Sequence, residues 1–119
     1  MAAPNIAGLT TITGKTVAAS VSSDQANLVV NSAASGKVFK INSLIISNID
    51  GVNAADINVD YFTGGTGYSL VKTVAVDADS SFSAIDKNLQ LYLEEGTALA
   101  VTASANGDLQ AICSYEEIS

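Results

Sequence analysis

The sequence predicts an all-β protein that folds as a single antiparallel β-sandwich of about eight strands. Three observations support this prediction. Apolar and polar residues alternate with period two along most of the chain, which is typical of strands with one buried face. Turn-forming Gly, Asn and Asp residues recur about every 8–12 residues, a spacing typical of sandwiches and barrels. No segment keeps an apolar stripe at the helical period for long.

The runs of alternation define the strands in chain order. The candidates are residues 16–21, 27–31, 37–48, 54–62, 68–76, 81–85, 89–93 joined with 97–104, and 109–116. The third run changes parity near Asn42–Ser43, where one extra residue predicts a β-bulge. Asn106–Gly107 lies between the last two runs and suits a type I′ hairpin turn, because both residues tolerate positive φ. A jelly-roll-like strand order is preferred, and an immunoglobulin-like order is the alternative.

Length and composition indicate one folded domain with an extended beginning. A chain of 119 residues corresponds to about one domain, by the usual ~100–200 residues each. With 48% hydrophobic and 14% charged residues, it has enough apolar surface to fold without disulfides or metals. Residues 1–16 show little alternation and carry no charge before Lys15. We therefore assign residues 1–16 to an extended N-terminal arm and residues 17–119 to the sandwich.

The charge balance excludes several partners. The net charge is −7, there is no His, and the five basic residues are all lysines scattered along the chain. Nucleic-acid binders carry a basic patch, so DNA, RNA and anionic membranes are not expected as partners. The start of the chain has no basic residue before Lys15, unlike a secretory signal, and no stretch approaches the ~18 apolar residues of a membrane helix. We expect a soluble protein made in the cytoplasm.

The stretch DINVDY, residues 56–61, begins like an EF-hand calcium loop. Asp56, Asn58 and Asp60 stand at every second position. Such a loop needs a glycine at its sixth position and a glutamate at its twelfth, where this chain has Tyr61 and Gly67. The residues in between are apolar, so the pattern predicts the polar face of a strand. No metal ligand is assigned here, although a weak ion site elsewhere on this face stays open.

Few residues could carry catalysis. Without His, no Ser–His–Asp or Cys–His arrangement can form. Glu94–Glu95 and Glu116–Glu117 are pairs of acids, but neighbours on a strand point to opposite faces, and the first pair is expected to be a solvated turn. GGTG at 64–67 lacks the lysine and helix of a phosphate loop and predicts a hairpin. Cys113, the single cysteine, is in phase with apolar residues and is expected in the core. We assign no catalytic, metal or cofactor-binding residue and expect neither an enzyme nor a cofactor.

Two stretches carry a resemblance to a known family. They are INSLIISNIDGVNAADINVDYF (41–62) and LYLEEGTALAVTASANGDLQAICSYEEIS (91–119). A strand ending in Asn, an alternating strand ending in Tyr, an acidic-Gly turn and a closing SYEEI together resemble small virion structural proteins of tailed bacteriophages, closest to those of marine cyanophages. The resemblance covers residues 37–119 best. It implies a virion structural protein and transfers no catalytic residue.

From this resemblance we expect a structural role in a virion. A low-charge all-β chain rich in small residues suits a capsid decoration or cement protein on the outer shell, where it never meets the genome. A tail, neck or fibre-base component is the alternative, and a host-surface carbohydrate-binding module is a weaker one. The expected partners are further copies of the chain, for example in a trimer, and the major capsid protein or another virion protein. In the arm, we expect Ile6, Leu9 and Ile12 to be apolar anchors against a neighbouring subunit or the capsid.

The tyrosines are the remaining candidates for recognition. They could line a sugar groove, but the chain has no Trp. At ordinary strand spacing we expect them at core edges and subunit contacts instead. The four residues are Tyr61, Tyr68, Tyr92 and Tyr115.

Overall fold

The computed structural model describes residues 5–119, which form nine β-strands and one short 3₁₀ helix. The helix, Ile6–Gly8, precedes the first strand. The strands are β1 (Ile12–Val21), β2 (Ala26–Asn31), β3 (Val38–Asn48), β4 (Ala55–Thr63), β5 (Thr66–Val76), β6 (Ser81–Ile85), β7 (Leu91–Leu93), β8 (Thr97–Ala103) and β9 (Leu109–Ile118). The prediction of an all-β sandwich is confirmed.

The strands form two antiparallel sheets. The first sheet, sheet A, has the order β1–β9–β3–β6, and β7 also pairs with β3. The second sheet, sheet B, has the order β2–β8–β4–β5. The pairs are nested along the chain: β1 with β9, β2 with β8, β3 with β6 and β7, and β4 with β5. The chain is thus one long hairpin whose successive pairs alternate between the sheets, which is the jelly-roll arrangement.

Three local predictions differ from the structure. β1 begins at Ile12, so it includes the last residues of the range assigned to the arm. Because β1 is an edge strand that is exposed on both faces, its sequence lacks the alternation that marks a strand. The joined run 89–104 is two strands, because Gly96, with φ of 78°, turns the chain from sheet A to sheet B. Asn106–Gly107 does not close a hairpin, since β8 and β9 lie in different sheets, and that prediction is wrong.

Two other local predictions are confirmed. The register between β3 and β9 shifts between Ile41 and Ser43, which places the bulge at Asn42. Gly64 and Gly65 form the two-residue turn between β4 and β5, with φ values of 60° and 80°. Positive φ at both central residues matches a type I′ hairpin turn.

The core lies between the two sheets. Its largest fully buried side chains come from both inner faces, and Cys113 is among them, as predicted. The apolar members are Ile41, Leu44, Ile46, Ile57, Leu93, Leu99, Leu109, Val21, Val59 and Val76. Two asparagines, Asn31 and Asn48, are also fully buried or nearly so. Every buried side-chain N or O atom within the described residues has a hydrogen-bond partner.

Candidate interaction surfaces

The DINVDY stretch lies on β4 as the strand interpretation predicts. Ile57 and Val59 are fully buried, while Asp56, Asn58 and Asp60 alternate with them on the outer face of sheet B. The Asp60 carboxylate accepts a hydrogen bond from the Gln25 side chain at 2.8 Å. Asn58 Oδ1 accepts one from the backbone N–H of Thr73, also at 2.8 Å. Across residues 5–119, no group of three or more His, Cys, Asp or Glu side chains is placed to hold a metal ion.

The adjacent acids occupy different environments. Glu94 is exposed, as a turn residue should be, but Glu95 is buried, so the prediction of a fully solvated turn is wrong for it. Glu95 folds back against the β2–β3 loop, where its carboxylate accepts the backbone N–H of Gly36. This contact joins residues 59 positions apart, so the local sequence gives no sign of it. The hydrogen bond ties the turn before β8 to the β2–β3 loop.

The tyrosines divide into two groups. Tyr61 and Tyr115 are partly buried against the core, and the Tyr115 ring lies 5.3 Å from that of Phe39. Tyr68 and Tyr92 are exposed by 58% and 46%. Core-edge positions are confirmed for the first two, and a role of the second two in subunit contacts stays a prediction.

The outer face of sheet A contains a broad area without charge, here called the uncharged face. Three rows of residues run across β1, β9, β3 and β6 in register, opposite the core side of each strand. The rows are Thr16–Ser114–Ser43, Ala18–Ile112–Ile45–Ser83 and Ser20–Gln110–Ser47–Ser81. In a chain of net charge −7, eleven neighbouring outward positions with no ionisable side chain form a candidate contact surface.

The centre of the uncharged face is apolar, and serine and threonine side chains surround it. Ile45 and Ile112 face each other across β3 and β9 and are exposed by 39% and 43%. Around them, the hydroxyls of Thr16 and Ser114 form a hydrogen bond at 3.1 Å. A partner would therefore cover two isoleucines and a set of short hydroxyl side chains. Short side chains lose little conformational entropy when they are covered.

One end of the sandwich is acidic. Four loops meet there, residues 22–25, 49–54, 77–80 and 104–108, and backbone bonds such as Ile49 N–H to Asp108 O at 2.8 Å join them. These loops carry five aspartates and no lysine: Asp24, Asp50, Asp77, Asp79 and Asp108. The backbone N–H groups of Val52 and Asn53 donate to the Asp50 carboxylate and lower its pKa. We call this region the acidic end.

The opposite end holds paired charges. The Glu117 carboxylate contacts Lys37 Nζ at 2.8 Å and Lys15 Nζ at 2.9 Å. These two hydrogen-bonded cations lower the pKa of Glu117, and Glu117 in turn raises the pKa of Lys15. Negative charge is balanced at this end, so the unbalanced charge of the molecule concentrates at the acidic end.

An apolar groove opens along the edge formed by β5 of sheet B and by β6 and β7 of sheet A. It is lined by Leu70, Ala84, Ile85, Leu89, Gln90 and Leu91. Leu70 and Leu89 are exposed by 45% and 65%. The lining contains no ionisable side chain, and Gln90 is its one polar side chain, so the contacts with an occupant would be mainly apolar.

The predicted arm anchors lie at the start of the described chain. Ile6 and Ile12 are exposed by 43% and 63%, and Leu9 is half-buried. Between them, the backbone N–H groups of Thr10 and Thr11 donate to Ser119 O at 3.0 and 2.7 Å. Ile12 belongs to β1, and the other two anchors precede it, so their role as anchors stays a prediction. Residues 1–4 of the arm lie outside the described residues.

Comparison with known proteins extends to the fold. A scan of protein-family models and a search of curated proteins give no match for this sequence. Solved structures do match. One is a chain of the Bacillus endospore appendages, a family of disulfide-linked pili, with 17% identity, a TM-score of 0.53 and coverage of 92% of this chain and 88% of that one.

Two further matches are chains from structures of phage capsids or capsid proteins. A chain of the acid-stable capsid of Helicobacter pylori bacteriophage KHP30 has 7% identity, a TM-score of 0.53 and coverage of 93% of this chain and 90% of that one. A pentameric capsid protein from metagenomic phage sequences has 12% identity, a TM-score of 0.43 and coverage of 85% and 59%. At these identities the likeness is one of fold. Within residues 5–119, no helix has the length and hydrophobicity needed to cross a bilayer.

Proposed function

We propose that this chain is a structural protein of a bacteriophage particle and that it decorates the outside of the capsid. The observation that carries the proposal is the uncharged face, where mostly short side chains surround two exposed isoleucines in an otherwise acidic protein. Such a face can bind another protein surface without desolvating a charge. The resemblance to cyanophage virion proteins and the fold likeness to a phage capsid chain support the same class of function.

The acidic end fits a protein that lies outside a DNA-filled shell. Its five aspartates would repel packaged DNA if the protein lay inside the shell, and outside it they keep the particle surface hydrated and make neighbouring particles repel each other. In this arrangement the uncharged face contacts the major capsid protein, and the protein is a virion component made in the host cytoplasm. It acts by binding and has no catalytic step.

The location is tested by electron microscopy. Antibodies against the recombinant protein are applied to purified particles from cells that produce the chain. Gold label spread over the shell supports decoration. Label confined to one vertex or to the tail supports the alternative, a tail, neck or fibre-base component. Particles without label would overturn both.

The binding face is tested by a matched pair of substitutions. Ile112→Lys places a charge in the centre of the uncharged face, and Val52→Lys places the same charge at the acidic end, where Val52 is 84% exposed. We expect the first variant to bind particles lacking the protein at least about tenfold more weakly, and the second to bind normally. Equal binding by both variants would show that another surface contacts the shell.

We also propose that the start of the chain contributes to this contact. Ile6 is exposed and Leu9 is half-buried, and both precede the bonds of Thr10 and Thr11 to Ser119. Deletion of residues 2–8 leaves those bonds and β1 intact. We expect the truncated protein to keep its circular dichroism spectrum and to lose particle binding. Unchanged binding would show that the segment has no part in it.

A further inference from the structure

The sandwich has four edges, and three of them are protected against pairing. β2 has six residues with a register shift between Asn27 and Val29. β5 has two register shifts and carries Lys72. β6 and β7 share the third edge and are only five and three residues long. Short strands, bulges and lysines are the usual means by which proteins prevent edge-to-edge association.

The β1 edge has almost none of these protections. It pairs with β9 in unbroken register over ten residues, from Ile12–Ile118 to Val21–Leu109. All its residues except Val17 and Val21 are exposed, so no other part of the described chain covers it. It contains no Pro and no acid, and its one charge, Lys15, is drawn back onto Glu117 of the same sheet. Half of its backbone N–H and C=O groups point away from β9, where nothing in this sheet pairs with them.

We propose that β1 pairs antiparallel with β1 of a second copy of this chain around a two-fold axis. The two copies of sheet A then form one continuous sheet, joined by main-chain hydrogen bonds. A two-fold contact is self-complementary, because each copy offers the same row of donors and acceptors. This contact produces a dimer rather than the trimer expected from the sequence.

We place Val17 on the two-fold axis, because this register packs apolar side chains together and keeps the two Lys15 charges apart. It brings the half-buried Val17 side chains of the two copies together at the margin of both cores. Lys15 lies opposite Ala19 of the second copy, so the two lysines stay about 13 Å apart along the strands. Thr16 lies opposite Ala18, and both belong to the uncharged face. The uncharged faces of the two copies therefore adjoin and point in the same direction.

Pairing of this kind would enlarge the surface in the proposed function, but it does not depend on that function. The isolated protein tests the pairing, and particle labelling tests the function. If the protein dimerises but particles are never labelled, the proposed function is contradicted and the proposed pairing is still supported.

The test uses two lysine pairs of equal charge. Thr16→Lys with Ala18→Lys changes the exposed side of β1 and sets the introduced lysines directly against each other across the axis. Ser69→Lys with Ala75→Lys makes the same change on exposed positions of the bulged β5 edge. Sedimentation velocity over a micromolar concentration series measures the dimer dissociation constant of each protein. Circular dichroism checks that each variant is folded.

We expect the natural protein and the β5 variant to dimerise with similar constants, and the β1 variant to dimerise at least about tenfold more weakly. In hydrogen exchange, amides of β1 should gain protection as the concentration rises, while those of β5 should not. A natural protein that stays monomeric through the series would overturn the proposal. So would a β1 variant that dimerises as well as the β5 variant.

Discussion

At the residue scale, two buried asparagines hold the sheets together at opposite ends. Asn48, at the end of β3 in sheet A, donates from Nδ2 to the carbonyls of Asn53 and Val76, both at 2.9 Å. Its Oδ1 accepts the backbone N–H of Asp50 at 2.9 Å. At the other end, Asn31 of sheet B donates to Leu93 O of sheet A, also at 2.9 Å. Each amide thus links the two sheets where apolar packing ends.

Replacing Asn48 by Ala should strongly destabilise the fold. The substitution leaves two carbonyls and one N–H without their partner in a site where Asn48 is 3% exposed. We expect the free energy of unfolding to fall by about 3 kcal/mol. Urea denaturation measures it, with Asn27→Ala on the exposed side of β2 as the control, which should change stability by less than about 0.5 kcal/mol. Similar losses in both variants would show that the amide contacts contribute little.

The Glu117 cluster makes stability depend on pH. The pKa of Glu117 is lowered on folding, so its contribution is complete above its ordinary value of 4.5 and is lost as the pH falls through the lowered value. The pKa of Lys15 is raised, so its contribution is complete below 10.5 and is lost at higher pH. The ion pair between Lys15 and Glu117 is therefore fully effective only between these limits.

The substitution Glu117→Gln tests this pH dependence. Both lysines are partly exposed, so we expect a loss of only about 1 kcal/mol near pH 7. The loss should shrink as the pH is lowered below 4.5, because the natural carboxyl is then increasingly protonated as well. Denaturation curves across this range give the answer, and Glu94→Gln, at an exposed position, is the control. A loss that is constant with pH would mean that shape rather than charge accounts for it.

At the scale of elements, the sequence predicted the strands better than their partners. Alternation depends on which face of a strand is buried, and the identity of the buried face can be read from the local sequence, as in residues 55–61. The sheet that a strand joins depends on contacts between distant segments. For this reason Asn106–Gly107 suggested a hairpin, although it connects two sheets. The uncharged face could not be predicted either, because its rows unite residues from four strands.

The tip of the long hairpin offers a test of local turn chemistry. Gly65 has φ of 80°, which a β-branched residue adopts only with strain. Gly14 in β1 does not have positive φ, and there is open space where the Cβ of an alanine would lie. We expect Gly65→Val to cost about 1–2 kcal/mol and Gly14→Ala to be neutral or stabilising by up to about 1 kcal/mol. Thermal melting with calorimetry compares the two. A tolerated valine at 65 would show that the turn can change type.

At the scale of the whole molecule, charge and shape have separate locations. The described chain is elongated, with extents of 49 × 26 × 21 Å. Its unbalanced acids lie at one end, in loops, while the β1 edge and the uncharged face run along the side. Association along β1 therefore brings together two molecules that repel each other as a whole through surfaces that carry almost no charge.

Salt should consequently strengthen the pairing. Each copy carries a net charge of −7, and raising salt from ~0.05 to ~0.5 M shortens the screening length from more than 10 Å to about 4–5 Å. We expect the dimer dissociation constant to fall severalfold over this range, as measured by sedimentation equilibrium. If salt weakened the dimer instead, ion pairs between the copies would hold it, and β1 pairing would not be the contact.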